Sequence, residues 1–192
     1  MRLKRPKRTI LILAGFTFLL GSMFASEGWG FQSLQAVYNN AGPGGGYDKL
    51  LELDPAVEYG GDLSIPSGVT VCIRGNGAKI IGLSSPDRGI RVYGSGLDID
   101  HCVFIGRETG ANGIYFDSNS YGQVTNNTIV DFNNAGIKVY YYNVSRGLVI
   151  ENNIITGCYY GFYGEEGYLP TYFAYNDIWG NSGLNYAYYC PG

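Results

Sequence analysis

The chain has 192 residues, 45% hydrophobic and only 15% charged, which is long enough for one buried core and short for two domains. Its 30 glycines and 18 tyrosines point to tight turns and strands rather than helices. A formal charge of −3 and a pI near 5.1, with no basic stripe, exclude a nucleic-acid binder.

Five of the 13 Lys and Arg residues, Arg2, Lys4, Arg5, Lys7 and Arg8, stand at the N-terminus. An apolar run, Thr9–Leu20, follows them, and then the small residues Gly21, Ser22, Ala25 and Ser26. This is the pattern of an export signal, residues 1–26, cleaved near Ala25–Gly28. The run is shorter than the roughly 20 residues a membrane span needs, so no stable membrane insertion is expected after cleavage. A secreted or cell-surface protein is expected.

Residues 27–61 read as an N-terminal cap region. Phe31–Ala41 can form a short helix with Phe31, Leu34, Val37 and Tyr38 on one face, suited to closing the end of a core. Gly42-Pro-Gly-Gly-Gly reads as a flexible turn; without a following Gly-Lys-Ser/Thr and helix it is not a phosphate loop. Leu50–Leu53 and Val57–Tyr59 read as short edge strands.

From residue 62 to 192 the sequence repeats with a period of 23–26 residues. One segment recurs as Gly89-Ile-Arg-Val, Gly113-Ile-Tyr-Phe, Gly136-Ile-Lys-Val and Gly161-Phe-Tyr-Gly. A second recurs as Leu97-Asp-Ile-Asp-His-Cys, Val124-Thr-Asn-Asn, Leu148-Val-Ile-Glu-Asn-Asn and Tyr172-Phe-Ala-Tyr-Asn-Asp. A third short apolar stretch follows each: Val103-Phe-Ile, Thr128-Ile-Val, Ile154-Ile-Thr and Ile178-Trp. Three short strands per period, with no helical pattern between them, predict an all-β fold. It is a right-handed parallel β-helix, a single-stranded solenoid of about 23–26 residues per coil with the short N-terminal capping helix. His101, Asn126, Asn152 and Asn176 are expected in one register as an Asn ladder along a turn. Tyr188-Tyr-Cys-Pro-Gly offers no cap for the last coil, so a continuation of the solenoid or end-to-end self-association is expected there.

The phrases Ile65-Pro-Ser-Gly-Val-Thr-Val, Arg74-Gly-Asn-Gly-Ala-Lys-Ile-Ile, Asn152-Asn-Ile-Ile and Tyr175-Asn-Asp-Ile-Trp-Gly-Asn-Ser-Gly resemble the pectate-lyase-like right-handed parallel β-helix proteins. The resemblance covers roughly residues 62–190. It is specific for fold and weak for activity, because that group includes lyases, hydrolases, epimerases, esterases and non-enzymes.

Strand alternation then assigns an outer surface. With Ile90, Ile114, Ile137 and Phe162 inward, Arg91, Tyr115, Lys138 and Tyr163 form one outer column, and Tyr93, Asp117, Tyr140 and Glu165 the next. Every rung presents one tyrosine and one charge, in an order that switches from rung to rung. The resemblance implies that this face floors a sugar groove, with Arg91, Tyr93, Tyr115, Tyr140 and Tyr163 binding substrate. Tyrosine faces suit sugar rings, and cations suit uronate carboxylates. The partner is expected to be a polysaccharide containing uronic acid.

Three residues are catalytic candidates. Lys138 could be the base of a uronate-eliminating lyase if its pKa were lowered. Asp117 and Glu165, two rungs apart and so about 9–10 Å at strand spacing, could form a hydrolytic carboxylate pair at the upper limit of the inverting range. The Asp-rich motifs of polygalacturonases and the paired Asp of pectin esterases are absent. No cofactor is expected, and Ca²⁺ finds no cluster of carboxylates. The alternative reading is a non-catalytic surface, adhesion or structural solenoid.

The remaining candidates read as structural. His101, the sole histidine, reads as a turn residue, Asp98 and Asp100 as solvent-facing, Glu165-Glu166 as a loop and Trp179 as core. Cys72, Cys102, Cys158 and Cys190 lack C-x-x-C spacing, which argues against zinc, and read mainly as small buried hydrophobes. Asn126-Asn-Thr and Asn143-Val-Ser match glycosylation sequons.

Overall fold

A computed structural model describes residues 30–82, 88–107, 112–140, 147–165 and 169–188. The expected export signal, the Asn143 sequon, Glu166 and Cys190 lie outside the described residues.

Three parallel sheets run the length of the solenoid. The first holds Leu63–Ile65, Arg88–Tyr93, Asn112–Asp117, Ala135–Val139, Tyr160–Gly164 and Leu184–Ala187. The second holds Lys49–Glu52, Thr70–Arg74, Gly96–Asp100, Tyr121–Thr125, Leu148–Glu151 and Tyr172–Ala174. The third holds Gln32–Ser33, Glu58–Gly60, Lys79–Ile81, Val103–Ile105, Thr128–Val130, Ile154–Thr156 and Asp177–Trp179. The chain visits the sheets in turn, so each strand pairs with its equivalent one coil away. Parallel pairing therefore begins upstream of residue 62: Lys49–Glu52 pairs with Val71–Arg74, and Glu58–Gly60 with Lys79–Ile81.

The core is a stack of inward rungs. Ile90 sits on Ile114, Ile114 on Ile137 and Ile137 on Phe162 in the first sheet, all four fully buried. The third sheet stacks Ile80, Phe104, Ile129 and Ile155 against them. Burying each such side chain contributes about 1.5–3 kcal/mol, and no coil achieves it alone.

The recurrent glycine before each inward Ile or Phe has a steric cause. A Cβ on Gly136 would stand 2.4 Å from Ile155 Cγ2, and one on Gly161 would stand 2.3 Å from Ile178 Cγ2. The first sheet leaves its corner at this point, and its backbone passes directly over the third sheet's side chains.

The helix spans Leu34–Asn40, shorter than the expected Phe31–Ala41, because Ser33 is its N-cap and accepts the Ala36 N–H at 3.2 Å. Leu34 and Tyr38 are buried in the core cluster and Val37 packs on it. Phe31 stands outside the helix, with the Arg107 guanidinium 5.0 Å from its ring centroid.

The asparagine ladder is present in a register that corrects the expected one. Its rungs are Asn127, Asn153 and Asn176, the second Asn of the first two pairs. His101, Asn126 and Asn152 precede the rungs at φ of 52–57°, and Tyr175, not Asn176, is their equivalent at 55°. These residues turn the chain in the left-handed region. A second, shorter ladder joins Asn181 to Asn185, which was not expected. Each ladder starts on a cysteine: the Cys102 N–H donates to Asn127 Oδ1 and the Cys158 N–H to Asn181 Oδ1, both at 2.9 Å. In each case the thiol points at the carbonyl two residues before it, Asp100 O or Thr156 O, as the next rung's amide points at the carbonyl two residues before its own position, Thr125 O or Trp179 O. Cys72, Cys102 and Cys158 are free and buried.

Candidate functional face of the first sheet

The two outer columns form in the expected register. Arg91 pairs with Tyr115, Tyr115 with Lys138, and Lys138 with Tyr163. Tyr93 pairs with Asp117, and the ladder bonds Tyr140 N–H to Phe116 O and Glu165 N–H to Val139 O carry Tyr140 and Glu165 into the same second column. The strand directions that bury Ile90, Ile114, Ile137 and Phe162 thus turn all eight candidates outward.

Lys138 is the centre of this face. Its ammonium lies 4.9 Å from the Tyr163 ring centroid, 5.4 Å from Tyr115 and 5.9 Å from Tyr140, all within cation–π range. Two rungs lower, the Arg91 guanidinium lies 5.7 Å from both the Tyr93 and Tyr115 centroids. Tyr115 is thus shared between the two cations.

Arg91 and Asp117 form an ion pair across neighbouring strands, through Nη2 and Oδ2. Asp117 is buried and its other oxygen accepts the Ser118 hydroxyl at 3.0 Å. Both oxygens are therefore engaged as acceptors, which suits a fixed carboxylate and not a proton donor. Arg91 Nε is buried without a partner among the described residues. Glu165 is half-buried, and its Oε2 likewise lacks a hydrogen-bond partner.

The tyrosines continue past the expected columns. Tyr160 lies 5.5 Å from Tyr163 and 4.5 Å from Tyr159, and Tyr188 packs edge-on to Tyr163 at 5.1 Å. Desolvation, then the Tyr188 and Glu165 charges, push the Tyr163 hydroxyl pKa up, so it stays a neutral donor. The sequence signal for Tyr160 was its place just before the repeated glycine. Tyr188 carried none, since its coil has Asn185 where the others have the repeated glycine.

The other candidates separate. Trp179 is 55% exposed, contrary to a core position, because it pairs with Thr156 in the outward column of the third sheet, while its neighbour Ile178 takes the inward, buried place. Asp98 accepts the Tyr47 hydroxyl, which raises the Tyr47 pKa to about 12. His101 Nδ1 lies 3.2 Å from Asp100 on an exposed turn. Among the described residues no group of three His, Cys, Asp or Glu could hold a metal ion, and no helix is long and apolar enough to cross a membrane.

Comparison with known families matches residues 63–191 to the right handed beta helix region. No curated protein and no solved structure matches the chain.

Proposed function

The chain belongs to the right-handed β-helix family, and on that scaffold we propose a secreted, pectate-lyase-like protein that binds an acidic polysaccharide along the first sheet. The observation that carries this reading is Lys138 held among Tyr115, Tyr140 and Tyr163, with Arg91 in the same column. Rings hold the cation in place and supply apolar walls for sugar faces, while its outer side meets a carboxylate. Beyond the five basic residues at the N-terminus, only eight of the 13 remain against 16 acidic residues. Two of those eight stand in one column of this face. A chain so acidic elsewhere repels polyanions except where these cations stand.

Binding without turnover is the form the geometry favours. The carboxylate pair proposed for hydrolysis has Asp117 committed to Arg91 and Ser118. The elimination base proposed at Lys138 stands 4.9–5.9 Å from three tyrosine ring centroids, the surroundings of a bound cation. Residues 1–26, as an export signal, would deliver the protein to the extracellular polymers it binds.

A second reading, a structural solenoid that self-associates end to end, rests on the last coil. There Tyr172, Tyr175, Trp179, Leu184 and Tyr188 are exposed beside the edges of Tyr172–Ala174, Asp177–Trp179 and Leu184–Ala187, which no further strand pairs among the described residues.

The deciding experiment is affinity electrophoresis of the purified chain against neutral and uronic-acid polysaccharides, with unsaturated products followed by absorbance. Salt-sensitive retention by uronates with flat absorbance is expected. No retention by a chain with intact β-sheet circular dichroism would overturn the binding reading, and rising absorbance would restore catalysis.

A further inference from the structure

The charges on the face have a period of their own. Along the solenoid axis the rungs carry Arg91, then Asp117, then Lys138, then Glu165, so the sign alternates with every coil. Each rung advances about 4.8 Å and each like charge returns after about 10 Å. The ring of each rung also changes column: Tyr93, Tyr115, Tyr140, Tyr163.

We propose that this alternation selects an acidic polysaccharide with one carboxylate per disaccharide over one with a carboxylate on every sugar. The proposal rests on the binding reading above and names the polymer class for that same face. Strands of five or six residues present only two outward positions each, too few to floor an oligosaccharide, so the polymer crosses the strands. A pyranose unit is close in length to one rung. An alternating polymer therefore sets its carboxylates on the Arg91 and Lys138 rungs and its neutral sugars on the Tyr115 and Tyr163 rungs. A homopolyuronate in the same groove must set every second carboxylate beside Asp117 and Glu165. Like charges set side by side repel, the more so next to the buried Asp117 and half-buried Glu165, which salt screens poorly. Asp117 is tied to Arg91 through their ion pair, which leaves Glu165 as the dominant repulsion.

The test is titration calorimetry of the purified chain with hyaluronan oligosaccharides, which alternate uronate and neutral sugar, and with oligogalacturonates matched in carboxylate number. Binding at least tenfold tighter to the hyaluronan series is expected. Glu165→Gln is expected to narrow that ratio by strengthening oligogalacturonate binding, with little change in the other series. Equal or tighter oligogalacturonate binding by the unsubstituted chain would overturn the period inference and leave the binding reading standing. An unchanged ratio in Glu165→Gln would overturn the assigned role of that carboxylate and with it the alternation. Absence of binding in both series, by a folded chain, would overturn the underlying reading itself.

Discussion

The side-chain oxygen of Asn153 accepts two hydrogen bonds from Asn127, one from its backbone N–H at 3.0 Å and one from its Nδ2 at 3.1 Å. Both residues are almost wholly buried. Asn153 in turn donates its own N–H and Nδ2 to Asn176 Oδ1, at 3.0 and 2.9 Å. The ladder therefore runs in one direction, each rung satisfying the one before it, and it clamps the turn between the second and third sheets.

Asn153→Ala strands the Asn127 backbone N–H in the interior, at about 1–3 kcal/mol. It also removes the bonds the Asn153 amide donates to Val124 O and Glu151 O, while the Asn127 amide keeps Ile99 O and Thr125 O. A loss of about 3 kcal/mol is expected in urea denaturation. Asn181→Ala, in the shorter and more exposed ladder, is expected to cost about 1 kcal/mol, since water can replace its amide. The reverse order would show that the buried ladder does not carry the turn.

Gly136→Ala places a methyl 2.4 Å from Ile155 Cγ2, and overpacking of that kind costs about 1–3 kcal/mol. Part of the penalty should vanish when Ile155 is Ala, because its Cγ2 is then gone, while the Gly161 carbonyl oxygen 2.9 Å from the new methyl remains. A double-mutant cycle on melting temperature measures this. Additive effects of Gly136→Ala and Ile155→Ala would mean that some other contact excludes the side chain.

The architecture was legible because each coil repeats the same solution to the same burial problem. Gly113-Ile-Tyr-Phe and Gly136-Ile-Lys-Val differ in chemical class at their outward residue and stay apolar at the inward ones, so period and face follow from the text. The ladder register slipped because adjacent asparagines such as Asn152 and Asn153 are alike on paper. Only the turn tells them apart, one bending the backbone at φ 57° and the other bonding along the stack. The face columns were also legible, but their pairings were not. That Asp117 binds Arg91 depends on rotamers across neighbouring strands, and that Lys138 meets three rings depends on Tyr140 leaning in from the second column. Trp179 faces out because the alternation that turns Ile178 inward turns its neighbour outward, and a two-residue apolar stretch such as Ile178-Trp does not say which of the pair faces in.

Alkaline stability tests the cysteine that opens the second ladder. Burial, as the largest effect, raises the Cys158 thiol from its usual 9.0 to about 11. Unfolding lets the thiol ionise near its usual value, so its contribution is complete below about pH 9 and is lost as pH climbs toward 11. Measured by denaturation at several pH values, the stability difference between the unsubstituted chain and Cys158→Ala should shrink by about 2 kcal/mol across that window, at 1.36 kcal/mol per pKa unit. Cys102 is shifted in the same direction by the same desolvation, so the chain carrying Cys158→Ala should retain a smaller decline. A flat difference would mean that the Cys158 thiol is not desolvated in solution.

Lys138 decides the function. If it is the anion contact, Lys138→Met removes a charge-assisted bond worth about 1.5–3 kcal/mol and should weaken uronic-acid oligosaccharide binding roughly ten- to a hundredfold. The same change removes the charge that the Tyr115, Tyr140 and Tyr163 rings surround, so a modest stability change of about 1 kcal/mol accompanies it. Lys138→Arg separates the two effects. A guanidinium keeps the charge and stacks on tyrosine, so it should restore most of the affinity, whereas a purely structural lysine would leave binding the same in all three proteins. Calorimetric titration at two salt concentrations adds a second criterion. The salt dependence of affinity should fall in Lys138→Met and persist in Lys138→Arg, because the counterions released are those of the carboxylate and the cation it meets.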